Sequence, residues 1–156
     1  MRLPDGSEAT RELLLHPGAV AILPILEDGR ILLVRQYRHA AGKELLEIPA
    51  GKLDIPGEAP CDCAARELRE ETGYEATEWE ELLTFYTSPG FTTETITLFR
   101  ATGLTQVSSP LPGEIAGIER LTETELRESI RDGRITDGKT IIASLFSLAK
   151  EENTSP

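Results

Sequence analysis

The chain has 156 residues, 39% of them hydrophobic, and a formal net charge of −11 from 16 Lys and Arg against 27 Asp and Glu. That length suits a single domain spanning residues 1–156, and the apolar share is too high for a disordered chain. The negative balance excludes a nucleic-acid backbone or an anionic membrane as the main partner; it suits recruitment of divalent cations and a merely acidic surface equally well.

The longest apolar runs, such as Ile31–Val34 and Leu45–Leu46, are too short to span a bilayer. The opening MRLPDGSEATRE has no apolar signal core, so the expected compartment is the cytoplasm. Cys61 and Cys63 lie one residue apart, too close for an ordinary disulfide, and are expected to be reduced.

In chain order, Gly18–Pro24 and Ile31–Arg38 are β-rich runs flanking Glu27-Asp28-Gly29-Arg30, which predicts a hairpin. Glu44–Pro49 reads as a short strand, and Ala50–Gly57, with Gly51, Pro56 and Gly57, as a loop. Pro60 can open a helix that Gly73 closes. Two strands follow at Glu81–Thr87 and Thr93–Ala101, separated by the turn Ser88-Pro89-Gly90, and Ile115–Leu121 is a further strand candidate. Thr122 and Glu125 form a capping box, with Gly133 ending that helix. Asp137 caps a last helix to about Ala149, whose Ile141, Ile142, Leu145, Phe146 and Leu148 recur at helical spacing and predict core packing. The tail Lys150 to Pro156 is polar and expected to fray. The order predicts an α/β fold, with helices covering a mixed sheet behind an N-terminal antiparallel strand region.

The helix before Gly73 carries the chemistry. Taking Glu67 as zero, Glu71 lies about 40° to one side and Glu70 about 60° to the other, so three carboxylates share a face. Cys61, Ala64, Leu68 and Thr72 gather roughly 120° away and are expected to pack on a sheet. Three acids so close repel, and Arg66 offsets only part of that. The balance is either a missing hard cation, Mg²⁺ or Mn²⁺, or a solvated acidic face.

The wider spacing decides between them. Gly51–Tyr74, GKLDIPGEAPCDCAARELREETGY, resembles the Nudix box, G-x5-E-x7-R-E-U-x-E-E-x-G-U with U a bulky aliphatic residue. Glu58, Arg66, Glu67, Leu68, Glu70, Glu71 and Gly73 match it. Tyr74 puts an aromatic ring in the last position, and six residues instead of five separate Gly51 from Glu58. The resemblance implies an α/β/α sandwich and metal-dependent cleavage of a diphosphate. It implies that Glu67 and Glu71 are the main metal ligands, that Glu70 is a further ligand or water contact, and that Arg66 orients the glutamates. Glu58 would support the site or touch metal, and the Ala50 carbonyl would ligate. The expected cofactor is Mg²⁺, with Mn²⁺ as a substitute.

Features outside the box resemble the ADP-ribose pyrophosphatase subgroup: Val34-Arg35-Gln36-Tyr37-Arg38, Leu46 to Gly51, Pro89 sixteen residues after Gly73, and the ending GRITDGKTIIASL. The subgroup implies a small nucleoside diphosphate derivative as substrate, met by Arg35, Arg38, Pro89 and Phe91. The general base would be Glu114 on a late loop, with Glu94 as its competitor. Glu47 would support the loop, and His39 reads as a surface residue. The subgroup further implies a homodimer in which Glu12–Leu15 and Tyr37–Arg38 belong to a shared site. Other expectations the box allows are another nucleoside diphosphate sugar or a dinucleotide such as NADH as substrate, and a non-catalytic Nudix domain that senses such ligands.

Overall fold

The computed structural model describes residues 2–113 and 115–148. Among the described residues, nine strands and three α-helices follow one another as β1 Ala19–Pro24, β2 Ile31–Arg38, β3 Lys43–Glu47, β4 Ala50–Lys52, α1 Pro60–Thr72, β5 Tyr74–Glu75, β6 Glu78–Tyr86, β7 Thr95–Thr102, β8 Thr105–Gln106, β9 Ile115–Leu121, α2 Glu123–Arg131 and α3 Gly138–Leu148. A mixed sheet runs β4-β1-β7-β6, an antiparallel sheet runs β3-β2-β9, and β5 pairs with β8. In the mixed sheet β1 is parallel to β7 and antiparallel to β4.

All six residues of β1 are buried, because both of its faces are covered. Val20 and Ile22 join Leu32 and the α1 residues Cys63, Ala64 and Leu68 in one cluster. Ala19, Ala21 and Leu23 join Ile31, Leu33, Leu126 and Ala143 in the other. Helix α1 thus lies on one side of the sheets and α2 with α3 on the other, which is the predicted sandwich.

The predicted hairpin forms only at its turn. Leu26 N–H donates to the Arg30 carbonyl at 2.9 Å, and Gly29 takes φ 79°. The ladder stops at the single bridge Ile25–Ile31, and the strands part into different sheets. The cause is composition: AVAILP and ILLV are apolar on both faces, and such runs need cover on both sides. The predicted loop at Ala50–Gly57 is also partly strand, since Ala50–Lys52 pairs with Ala19–Ala21.

Helix α1 starts with Pro60 in its first turn and ends at Gly73, which takes the left-handed φ of 76°. This end is latched to the late loop. The Gly73 carbonyl accepts from Val107 N–H at 2.9 Å and Ser108 N–H at 3.1 Å, and the Glu70 carbonyl accepts from Leu111 N–H at 2.8 Å. On α1 the fully buried residues are Cys63, Ala64, Leu68 and Thr72, and Cys61 packs half-buried against the same cluster, as expected. The glutamate face itself leans on β4, and Cys63 lies on that side, donating its thiol to the Lys52 carbonyl at 3.4 Å.

The Thr122–Glu125 capping box forms as predicted. Asp137 caps α3 by accepting from Thr140 N–H at 3.0 Å, and Thr140 Oγ1 accepts from Ile48 N–H at 2.9 Å. Only part of the apolar stripe of α3 packs as expected: Ile142 lies against the core and Ile141 is half-buried. Lys139, Thr140, Ala143 and Ser144 are buried, while Leu145 and Phe146 are exposed. Small side chains let the helix approach the sheet closely. Ala149 and the tail from Lys150 fall outside the described residues. Among the described residues, no helix is long and apolar enough to cross a membrane.

Candidate active site

Arg66 organises the acidic face of α1. Its Nε and Nη2 donate to the two Glu58 oxygens at 2.8 and 3.0 Å, and its Nη1 donates to Glu67 Oε1 at 2.7 Å. Glu70 Oε2 lies 3.4 Å from the same Nη1. One planar guanidinium therefore fixes three of the four box glutamates, a task suited to Arg and not to Lys. Arg66 holds the Glu58 carboxyl below the usual carboxylate range.

The fourth, Glu71, turns to β4, where its Oε2 accepts from Ala50 N–H at 3.1 Å. Burial pushes its carboxyl up to about 7; the Ala50 N–H opposes this and the nearby Glu67 adds to it. Burial likewise raises Glu67. The backbone of Gly51 lies against Glu67 so closely that a Cβ there would sit 2.0 Å from the Glu67 Cδ. Ala50, Gly51, Glu67 and Glu71 are thus brought together by one contact between β4 and α1.

Among the described residues, no three acidic, His or Cys side chains converge tightly enough to enclose an ion unaided. A hard divalent cation can be held by one or two carboxylates, its other positions filled by water and substrate oxygens. Two half-buried carboxylates, both raised chiefly by burial, fit such a cation.

Beside β4 opens a cleft of about 450 Å³, lined by charged residues (Arg38, Glu47, Asp137, Lys139) and by Phe85, Tyr86, Thr87, Glu94 and Ile142 among others. Glu47 is buried, and both its oxygens accept from Arg38, at 2.9 and 2.7 Å. Burial works to raise the Glu47 carboxyl, but Arg38 and Lys139 outweigh it and keep it ionised. Glu94 is held by Thr87 Oγ1 at 2.6 Å and lies 3.5 Å from His16 Nε2. On the other flank of α1, Arg66 and Glu70 border a second hollow with Ser108, Ser109 and Leu111.

The cleft brings Arg38, Ala50, Glu47 and Glu94 together. Arg35 is not there: three residues from Arg38 on the same strand, it points to the opposite face and pairs with Glu119. Pro89 and Phe91 are exposed on the turn between β6 and β7, outside the cleft lining. His39 is exposed, as read. Glu114 lies outside the described residues. Sequence reading missed Asp137 and Lys139 as cleft residues, since Lys139 meets Glu47 across 92 positions only on folding, and Asp137 joins them through Lys139.

The chain is similar to several known proteins. A methanol dehydrogenase activator from Bacillus methanolicus is 44% identical over 154 residues, covering 97% of this chain and 83% of that protein. An ADP-ribose pyrophosphatase from Mycobacterium tuberculosis is 48% identical over 110 residues, 70% of this chain, which spans about half (53%) of that protein. One from Bacillus subtilis is 36% identical over 154 residues, 97% of this chain and 83% of that protein. A solved structure described as an ADP compounds hydrolase superposes with a TM-score of 0.78 at 23% identity, over 88% of this chain and 74% of that one, a likeness of fold. The NUDIX domain pattern itself matches residues 15–142, and with the box glutamates gathered on one helix against β4, the chain belongs to the Nudix family.

Proposed function

We propose that the chain hydrolyses the diphosphate of ADP-ribose to AMP and ribose 5-phosphate with Mg²⁺, Mn²⁺ serving as a substitute. The observation that carries this reading is the contact that sets Glu67 and Glu71 on the Ala50–Gly51 backbone at the edge of a cleft bearing Arg38 and Lys139. The names of the relatives from M. tuberculosis and B. subtilis support the substrate.

When bound, the ion neutralises the diphosphate oxygens and lowers the pKa of a bound water. Glu67 and Glu71 would hold it, Glu70 would add a further contact, and Arg66 with Glu58 keeps the carboxylates aimed. Arg38 receives substrate phosphate, for which a planar guanidinium is well shaped. Glu114 takes the proton from the attacking water; Glu94, held by Thr87 and His16 in the cleft, is the competing base. We further propose a homodimer. Leu13, Leu14 and Leu15 are 59%, 59% and 76% exposed, and Leu14 N–H donates to the Phe91 carbonyl at 2.8 Å, which extends the apolar patch. A cytoplasmic, reducing location suits the two free cysteines.

A second reading is a dinucleotide such as NADH as substrate; a relative that matches over nearly the whole chain is named as an activator of methanol dehydrogenase and not as an ADP-ribose enzyme. Detection of AMP from ADP-ribose with and without Mg²⁺, beside NADH and a nucleoside diphosphate sugar, tests both. Metal-dependent turnover with the highest kcat/KM on ADP-ribose is expected; preference for NADH would favour the second reading.

A further inference from the structure

Lys139 sits where local rules argue against it. It belongs to the first turn of α3, where a cation opposes the helix dipole. Its side chain is only 8% exposed, and a buried charge is costly unless paired. It is paired twice: Nζ donates to Glu47 Oε2 and, at 3.0 Å, to Asp137 Oδ1. Glu47, 1% exposed, already receives two hydrogen bonds from Arg38. One bidentate guanidinium would match its charge; here a second cation is added, and a second acid, Asp137, balances that cation.

The strand register shows what this arrangement holds. Glu47 faces Val34 across the β2–β3 pair, whereas Arg38 faces Lys43. The Arg38 side chain must therefore run back along the sheet to reach Glu47, whose two carboxylate oxygens receive it there. All four side chains line the cleft. Fastening α3 to the sheet does not require Lys139, because Asp137–Thr140 and Ile48–Thr140 already pin that helix end.

We propose that Lys139 is a positioning residue for substrate binding, holding the Glu47 carboxylate, and through it the Arg38 guanidinium, at the angle that meets the anionic linkage of a nucleoside diphosphate derivative. The proposal rests on the substrate class given above. Two readouts test it in the full chain. One is the Arg38 Nε–H signal in nitrogen-edited spectra of ligand-free protein. The other is calorimetric binding of a methylene-bridged, non-hydrolysable ADP-ribose analogue with Mg²⁺. Lys139→Met is expected to speed solvent exchange of the Arg38 Nε–H and to weaken analogue binding about 10-fold, the scale of a lost charged hydrogen bond. Lys139→Arg should restore both. In an Arg38→Met background the same Lys139 change should cost less than about 2-fold, because the two act as one unit. An unchanged Arg38 signal, or an equal loss in both backgrounds, would overturn the proposal. If Lys139→Met does not fold, Lys139→Gln carries the same comparison. Failure of the unaltered protein to bind the analogue would overturn the substrate reading, and the Arg38 signal alone would then decide the relay.

Discussion

Glu71 is the box carboxylate that the fold burdens most with burial, and its titration has consequences in both directions. With its carboxyl raised to about 7 from an ordinary 4.5, the folded metal-free protein holds a proton there that the unfolded chain releases. The contribution to stability is therefore full below about 4.5 and is lost as pH rises through about 7, to an upper bound of about 3 kcal/mol. Melting curves of metal-free protein should fall in Tm across that window, and Mg²⁺ should restore it at the alkaline end. A metal-free Tm that does not change there would contradict this. Glu71→Gln should lower kcat by at least ~10²-fold with Mg²⁺ saturating; near-normal turnover would remove Glu71 from the metal site. The α1 carboxylates were legible in the sequence because helical spacing alone puts them on one face. Arg38 and Arg35 were separable in principle, since an odd spacing on a strand sends side chains to opposite faces. Lys139 was not legible: its partner Glu47 is far along the chain, and only tertiary closure joins them.

Two glycines that flank the site predict opposite outcomes at the scale of elements. A methyl on Gly51 would meet the end of the flexible Glu67 side chain, which can move aside. Gly51→Ala should hence leave stability within about 1 kcal/mol while weakening Mg²⁺ binding about 10-fold, the cost of disturbing a metal-ligand geometry. A methyl on Gly73 would lie 2.2 Å from the Ser108 carbonyl oxygen, at a φ of 76° that L side chains resist. Gly73→Ala should destabilise by roughly 1–3 kcal/mol or more, read by denaturant unfolding. The ends of α1 were legible, since Pro60 and Gly73 mark them chemically. The fate of β1 and β2 was not: Asp28-Gly29 specifies a turn, but how far the ladder extends depends on what covers each apolar face. Strand β4 was missed for a related reason. Gly51 reads as a loop former in the sequence, whereas in the fold its missing side chain admits Glu67.

For the whole molecule, the layered order of helix, sheet and helix follows from strands too apolar to face water, and this much the sequence conveyed. Which surfaces remain apolar did not follow, as the outward Leu145 and Phe146 show. The N-terminal leucines yield a test of assembly. If they form the proposed dimer contact, Leu14→Glu with Leu15→Glu should shift sedimentation from about twice the chain mass of 17.1 kDa to a single chain mass. A monomer in the unaltered protein would end that proposal. The latch at the end of α1 has a mechanical meaning. Because Glu70 and Gly73 carry the main-chain bonds to Leu111, Val107 and Ser108, the helix that bears the carboxylates and the start of the late loop share one frame of reference. A small tilt of α1 carries both together. If the late loop carries the base proposed above, loosening the latch should lower kcat before it affects the affinity for metal.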